Sequence, residues 1–306
     1  MKTIKKLGYS IVILFLLIIL NATMVNASSI KINAPENVKA SVSGVTNAKI
    51  KWSSVEGAKK YTLYRATSKN GKYKKVGTAK TTSYKDKSLN RGKTYYYKVK
   101  ANGTDSNSKK SNYAKVKILT KKQVLKKIRN ALKDKKWVKN NIKMKQTVFG
   151  TEITGKQTLF FGKLKNKELV AIEAVSEEDI SVQMFLVGYN NGKIIATSST
   201  EGPMHYFHGG PYIDLNSGFA GIGSLHMGYE YNKYFKASNV KFTELDEFQN
   251  NAGAMSDDTF YEINGKKVSE KKYNEKLNKY SKYNFSSLQI KGGHKLTTKN
   301  IDKYVK

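Results

Sequence analysis

Apolar and polar residues alternate with a period of two in short runs between residues 34 and 118, and turn residues separate the runs. The apolar and aromatic positions of these runs include Val38, Ala40, Val42, Ile50, Trp52, Tyr61, Leu63, Tyr84, Tyr95, Tyr97, Val99 and Ala101. A period of two places alternate side chains on opposite faces of a strand. Seven such short strands within one domain-sized stretch predict an all-β sandwich over 34–118.

The pattern changes to a helical period after Thr120. Thr120 and Gln123 have the spacing of a capping box, in which each side chain bonds the backbone N–H of the other residue. The apolar positions that follow recur at helical spacing, with lysines between them: Val124, Leu125, Ile128, Ala131 and Leu132. This stripe predicts a helix that packs on the next domain; a basic amphipathic helix lying on a membrane surface is the alternative.

Runs with a strand pattern resume beyond residue 147 and are joined by hairpin signals at Asn190-Asn191-Gly192 and Asn264-Gly265. Ser269 and Thr298 precede two further helical patterns and are predicted to cap them. Residues 119–306 are therefore predicted to form an α+β domain with an antiparallel sheet.

The first of these two regions resembles fibronectin type III domains of bacterial extracellular proteins. The resemblance is carried by Pro35, Val38, Ile50-Lys51-Trp52, residues 57–65, Asn70-Gly71-Lys72-Tyr73, residues 83–86 and residues 89–95. It implies that Trp52 lies between two sheets, and that Leu89 and Tyr95 form a tyrosine corner whose hydroxyl bonds upstream backbone. The family often has proline where this chain has Arg91. The aromatic residues named for the sandwich are all given structural roles, and none is predicted to bind a ligand.

The second region is similar to a class of extracellular domains from clostridia-like bacteria. The similarity is carried by residues 261–269, Tyr273, Leu277 and residues 296–301. In that class an earlier hairpin often carries a run of aspartates that resembles a calcium loop, whereas the corresponding residues 161–169 carry lysines here. Hard cations require oxygen ligands, so no calcium site is predicted, and the resemblance implies no activity.

The N-terminus has the order of a secretory signal peptide over residues 1–27. Lys2, Lys5 and Lys6 precede an apolar run from Ile11 to Leu20, and small residues end the segment at Ala27. Cleavage after Ala27 is expected, with retention as an anchor as the alternative. The chain contains no cysteine, so an exported protein of this sequence depends on its buried core and not on disulfides.

The formal net charge of +33 is concentrated in one half of the chain. Residues 1–145 hold 36 Lys and Arg against 5 Asp and Glu, whereas residues 146–306 hold 20 against 18. Coding bias could enrich lysine throughout, but it would not collect the acids in the second half. The asymmetry indicates attraction to a polyanion. Export disfavours nucleic acid as the partner and favours anionic cell-wall polymer or a membrane surface; carbohydrate and a surface protein are the other predicted partners.

Candidate chemistry is confined to the second half of the chain. His205, His208 and His226 are the candidates for a metal site, although no protease-type zinc motif accompanies them. Glu173, Glu177, Glu178, Asp179 and Glu201 raise the alternative of sugar hydrolysis, which needs two acids facing each other across a cleft. A dense aromatic stretch could stack sugars or pack a core: Tyr206, Phe207, Tyr212, Phe219, Tyr229, Tyr231, Tyr234 and Phe235.

The sequence therefore predicts an exported, non-catalytic binding or scaffold protein that is secreted or loosely associated with the cell wall. No catalytic residue, bound cofactor or stable membrane insertion after signal cleavage is predicted. An extracellular hydrolase that acts on saccharide or wall material through the second domain is the alternative.

Overall fold

The computed structural model describes residues 31–104, 106–143, 147–148, 151–152, 157–176, 182–198, 211–226, 228–252, 259–288 and 291–306. The predicted signal peptide lies outside these ranges. The first seven strands are β1 (Lys39–Ser43), β2 (Asn47–Lys51), β3 (Lys60–Ala66), β4 (Lys74–Ala79), β5 (Ser83–Asp86), β6 (Thr94–Asn102) and β7 (Ala114–Lys117).

These seven strands form a sandwich of two antiparallel sheets, with strand orders β1-β2-β5 and β4-β3-β6-β7. β6 shows why the sequence folds this way, because its residues alternate between half-buried and buried along the whole strand. Trp52 is buried between the sheets, and its ring meets Tyr61 edge to face at 5.2 Å. The Tyr95 hydroxyl accepts a 2.9 Å hydrogen bond from the Asn90 N–H, which confirms the predicted tyrosine corner.

The described residues from 119 onward form the C-terminal unit. Its helices are α1 (Lys121–Lys133), α2 (Lys135–Asn141), α3 (Glu270–Leu277) and α4 (Thr298–Tyr304). Its strands are β8 (Thr147–Val148), β9 (Thr151–Glu152), β10 (Gln157–Lys163), β11 (Leu169–Ser176), β12 (Val182–Asn190), β13 (Lys193–Ser198), β14 (Pro211–Asp214), β15 (Phe219–His226), β16 (Tyr229–Ser238), β17 (Lys241–Asn250), β18 (Tyr261–Ile263), β19 (Lys266–Lys267) and β20 (His294–Lys295).

Two antiparallel sheets stack in the C-terminal unit. The five-stranded sheet has the order β13-β12-β11-β10-β20, and the six-stranded sheet runs from β14 to β19 in chain order. Residues such as Met184, Leu186, Ile222 and Phe235 fill the space between the sheets. Helices α1 and α4 cover the outer side of the five-stranded sheet, and α3 with residues 278–285 covers the outer side of the six-stranded sheet. The predicted α+β architecture is confirmed.

The predicted local signals hold with one exception. Thr120 and Gln123 form the capping box of α1, and the buried Val124, Ile128 and Leu132 pack that helix on the five-stranded sheet. The hairpin turns at Asn191-Gly192 and Asn264-Gly265 have the positive φ angles that such turns need. The last helix is capped by Thr297 and not by the predicted Thr298, because the Thr297 hydroxyl accepts from the Asn300 N–H.

Polar contacts join the sandwich to the C-terminal unit. The Arg91 guanidinium pairs with Glu168 at 2.7 Å. Gly44 and Asn191 exchange two hydrogen bonds: the Gly44 N–H donates to Asn191 Oδ1 at 2.8 Å, and the Asn191 N–H donates to the Gly44 carbonyl at 3.2 Å. The residue that departs from the fibronectin type III pattern therefore has a partner in the second unit.

Candidate functional site

The outer face of the four-stranded sheet combines tyrosines with lysines. The inward residues of β6 are Tyr95, Tyr97, Val99 and Ala101, so Tyr96 and Lys98 point to the opposite side. Lys98 lies opposite Tyr64 of β3, and Tyr96 lies opposite Lys115 of β7. Aromatic rings and ammonium groups thus alternate across neighbouring strands.

We call this surface the tyrosine–lysine face and define it by Tyr64, Tyr73, Tyr96, Tyr113, Lys69, Lys98 and Lys110. Each of its three lysines places its ammonium nitrogen over a tyrosine ring. The distances to the ring centroids are 5.4 Å from Lys69 to Tyr113, 4.8 Å from Lys98 to Tyr73 and 4.1 Å from Lys110 to Tyr64. Such contacts contribute about 0.5–1 kcal/mol at exposed sites, which is enough to favour one position of a long side chain.

The rings themselves are held by neighbouring groups. Tyr96 and Tyr113 lie 5.5 Å apart with tilted planes, and the Tyr73 hydroxyl donates to the Lys69 carbonyl at 3.0 Å. Partial burial raises the pKa of Tyr73, and the nearby Tyr113 and Tyr96 raise it further. Tyr113 remains 38% exposed. The face therefore offers apolar ring surface and fixed positive charge to a ligand in solution.

The described acids of the sandwich do not neutralise this face. Asp86 is buried and accepts hydrogen bonds from Tyr97 Oη and Arg65 Nη1, both at 2.8 Å. Glu36 precedes β1 and Glu56 precedes β3, and both are exposed. The lysine charge on the tyrosine–lysine face is left available for an anionic partner.

The outer face of the three-stranded sheet is basic as well but differs in kind. Its strands point Lys39, Lys49, Lys51 and Lys85 outward, because the residues between them, such as Ala48 and Ile50, are buried. Serines and Asn47 occupy the other outward positions of its paired strands, and no aromatic residue does. The outer face of the three-stranded sheet therefore carries positive charge alone, whereas that of the four-stranded sheet combines positive charge with tyrosine rings.

The histidine candidates cannot be assembled into a site. His205 and His208 lie outside the described residues, and His226 ends β15, where its backbone pairs with Tyr229. Within the described ranges no group of three or more His, Cys, Asp or Glu is arranged to hold a metal ion. The metal-site candidates remain predictions from the sequence.

Of the acids considered for hydrolysis, Glu173 lies within the described residues and the other four do not. Glu173 lies in β11 with 1% of its surface exposed, and its Oε1 accepts a 2.7 Å hydrogen bond from the Ser287 hydroxyl. Glu177, Glu178, Asp179 and Glu201 lie outside the described residues. The hydrolase alternative therefore stays a prediction.

The described residues of the aromatic stretch are buried or partly buried, apart from Tyr229. Tyr206 and Phe207 lie outside the described residues. Tyr234 stacks on Tyr280 at 3.8 Å, and Phe219 stacks on Tyr283 at 4.0 Å. Burial, reinforced by the charge of Glu230 and by Tyr273, raises the pKa of Tyr234 to about 12. Tyr212, Phe219 and Tyr234 pack in one cluster with α3 and the segment that follows it. Phe235 packs between the two sheets, and Tyr229 is 50% exposed.

The sequence predicts structural roles for Tyr64 and Tyr73, and it does not single out Tyr96 or Tyr113. A signal for Tyr96 was present, because Tyr95-Tyr96-Tyr97 is a run of three tyrosines in a strand. If the first and third point inward, the middle one must point outward. Tyr113 precedes β7, and only the packing of strands identifies it as a neighbour of Tyr96.

The fold is a fibronectin type III-like sandwich followed by an α+β unit, and solved fibronectin type III domains are among the structures to which this chain is similar. A Fn3-like protein from Clostridium thermocellum is 29% identical, with 26% of this chain and 86% of that chain covered and a TM-score of 0.26. The crystal structure of FN3tt is 20% identical, with 28% of this chain and 91% of that chain covered and a TM-score of 0.26.

A β-1,2-glucanase from Parabacteroides distasonis is 27% identical, with 34% of this chain and 15% of that chain covered and a TM-score of 0.27. No family model and no curated protein matches the sequence. Within the described ranges, none of the helices has the length and apolar character needed to cross a bilayer.

Proposed function

We propose that this protein is an exported, non-catalytic binding protein that attaches to anionic cell-wall polymer through its sandwich. The observation that carries the proposal is the tyrosine–lysine face, where three ammonium groups are positioned over tyrosine rings. Phosphate or carboxylate groups of a polymer would pair with the ammonium groups, while its sugar or polyol carbons would lie against the rings.

The charge distribution supports the same partner. The half of the chain that contains the sandwich has 36 basic residues against 5 acidic ones. A basic surface of this extent attracts polyanions over a distance that shrinks as salt is added, from about 10 Å at 0.1 M to about 3 Å at 1 M. Lysine favours this diffuse mode, since its ammonium group is a compact, hydrated point charge and not a planar fork.

The test compares two variants that lose the same charge from opposite faces of the sandwich. The face variant is K69Q/K98Q/K110Q, and the matched control is K49Q/K51Q/K85Q on the outer face of the three-stranded sheet. Each variant is sedimented with purified bacterial cell walls in a salt series from about 0.05 to about 0.5 M. We expect wild-type binding to fall with salt, the face variant to bind at least about 10-fold more weakly, and the control to lose less than about 3-fold.

Walls from which the anionic polymer has been extracted identify the ligand. The wild-type protein is expected to lose its binding to these walls. Equal losses in the two variants would show that net charge alone governs binding and would contradict a specific face. Binding that is unchanged by salt, or retained on extracted walls, would contradict the anionic partner.

A further inference from the structure

A cleft of about 420 Å³ lies where the sandwich meets the C-terminal unit. Six segments line it: the β1–β2 loop, the loop before β6, the first turn of α1, the β10–β11 turn, the end of β12 and the β16–β17 turn. A cleft of this size matches the lower range of small-molecule sites. It is separate from the tyrosine–lysine face, so any ligand here is a second one.

Arg91 lines the cleft and carries an unused hydrogen-bond donor. Its Nη2 binds Glu168 Oε2 at 2.7 Å, which holds the guanidinium in place. Its Nη1 is buried and has no hydrogen-bond partner within the described part of the chain. Buried polar groups are almost always hydrogen-bonded, and the fork of a guanidinium suits the paired oxygens of a phosphate or carboxylate. The unpaired donor therefore indicates an acceptor that binds at this position.

One of the turns that line the cleft is strained. Asn239 and Val240 connect β16 to β17 with φ angles of 51° and 58°. Turns with two such angles favour Asn-Gly, because a β-branched residue is disfavoured at positive φ. Val240 is nevertheless 2% exposed, and its carbonyl accepts a 2.8 Å hydrogen bond from the Thr197 hydroxyl. Residues held in unfavourable backbone regions concentrate at ligand sites.

The remaining residues define the chemistry that the cleft would accept. Lys121 is exposed at its rim. Lys167 is occupied by the Ala237 carbonyl at 3.0 Å, and burial lowers its pKa. Val124, Leu169 and Tyr189 contribute buried apolar surface. The cleft thus combines the ion pair of Arg91 with Glu168, the positive charge of Lys121, an apolar wall and the polar side chain of Asn166.

We propose that this cleft binds a saccharide-sized ligand that carries one phosphate or carboxylate group, with the oxyanion at Arg91 Nη1 and near Lys121. Glu168 would act as a positioning residue, since its ion pair orients the guanidinium. Both structural units contribute to the site, so the ligand would bind only when they are docked.

The test measures binding of four probes to the full chain by titration calorimetry: glucose 6-phosphate, glucuronate, inorganic phosphate and glucose. We expect the two anionic sugars to bind more tightly than glucose by at least 10-fold, which is about the effect of one charge-assisted hydrogen bond. Preference for the phosphate or the carboxylate probe identifies the oxyanion. Binding of inorganic phosphate alone would contradict a saccharide ligand.

Three variants locate the site. R91K keeps a cation beside Glu168 but removes the guanidinium fork, and we expect it to weaken binding of the anionic sugars at least 10-fold. K121Q is expected to weaken it about 3-fold. K122Q removes an adjacent exposed lysine of the same helix, outside the cleft, and is expected to leave binding unchanged.

Glucose binding as tightly as its anionic analogues, or R91K binding like the wild type, would overturn the proposal. If R91K does not fold, K121Q against K122Q decides, because both lysines are exposed. The K69Q/K98Q/K110Q variant is expected to bind the sugars normally, which keeps this result independent of wall attachment.

Discussion

Tyrosines on the outer side of one sheet in each unit have opposite surroundings. On the outer face of the sandwich, Tyr64, Tyr73 and Tyr113 each have a lysine ammonium over the ring. In the C-terminal unit, Tyr234 and Tyr280 stack on each other and are almost fully buried. The density of aromatic residues does not distinguish these situations. The neighbouring residues distinguish them, because the rings at the surface contact lysine side chains and the rings in the core contact other aromatic rings.

The reason lies in what covers each sheet. The outer side of the six-stranded sheet is covered by α3 and residues 278–285, which supply Tyr273, Tyr280 and Phe285 as packing partners. The outer side of the four-stranded sheet of the sandwich keeps its tyrosines half-buried or exposed. A sheet that packs on the core through only one of its faces favours alternation between apolar residues that point inward and polar residues that point outward. The tyrosines of the uncovered face are amphipathic and suit that boundary.

The largest effect expected from this difference between core and surface tyrosines is on the unfolding free energy. Y280A removes a ring that stacks on Tyr234 and a hydroxyl that donates to Asp246 Oδ2 at 2.7 Å. We expect the C-terminal unit to lose about 3–5 kcal/mol of unfolding free energy, as for other buried aromatic residues replaced by alanine. The control Y96A, on the tyrosine–lysine face, is expected to cost the sandwich less than about 1 kcal/mol. Urea denaturation, with the transitions of the two units resolved, measures both, and similar losses would refute the distinction.

High pH provides a second way to test the buried cluster. Burial raises the pKa of Tyr234 to about 12, whereas a phenol in the unfolded chain loses its proton near pH 10. Between these values the unfolded state binds fewer protons, so stability is complete below about pH 10 and falls as the pH rises towards about 12. Urea midpoints measured across this window should decrease. Y234F should show a smaller decrease, and an identical decrease in the variant would contradict the assignment.

The sequence was sufficient for the parts of the fold that depend on neighbouring residues. Period-two runs and turn residues identify the strands of the sandwich, and Thr120 with Gln123 identifies the start of α1, because each signal acts within a few residues. The sequence did not place β20 beside β10, since that pairing joins distant parts of the chain. Thr297 rather than Thr298 as the last helix cap shows the usual uncertainty at helix ends.

The same limit applies to the candidate site. Features set by neighbouring residues can be predicted from the sequence, and contacts between distant residues cannot. The orientation of Tyr96 follows from the period of its strand, but its contact with Tyr113 depends on how β6 and β7 pair. Arg91 stood out only as a departure from the fibronectin type III pattern. Its partner Glu168 lies in the other unit, so no local pattern could reveal the cleft. Charge asymmetry was visible throughout, because it needs no knowledge of contacts.

The smallest predicted effect isolates a single hydroxyl group within the sandwich. The inward Tyr95 accepts a 2.9 Å hydrogen bond from the Asn90 N–H, so Y95F leaves that partly buried donor without its partner. We expect Y95F to cost about 1 kcal/mol, the usual contribution of one hydrogen bond. Y64F, on the tyrosine–lysine face of the same sheet, is the matched control, and its expected change is within about 0.5 kcal/mol. Urea denaturation of the sandwich transition distinguishes them. If Y64F costs as much as Y95F, the outward tyrosines also stabilise the fold, and their proposed role in binding would need separate support.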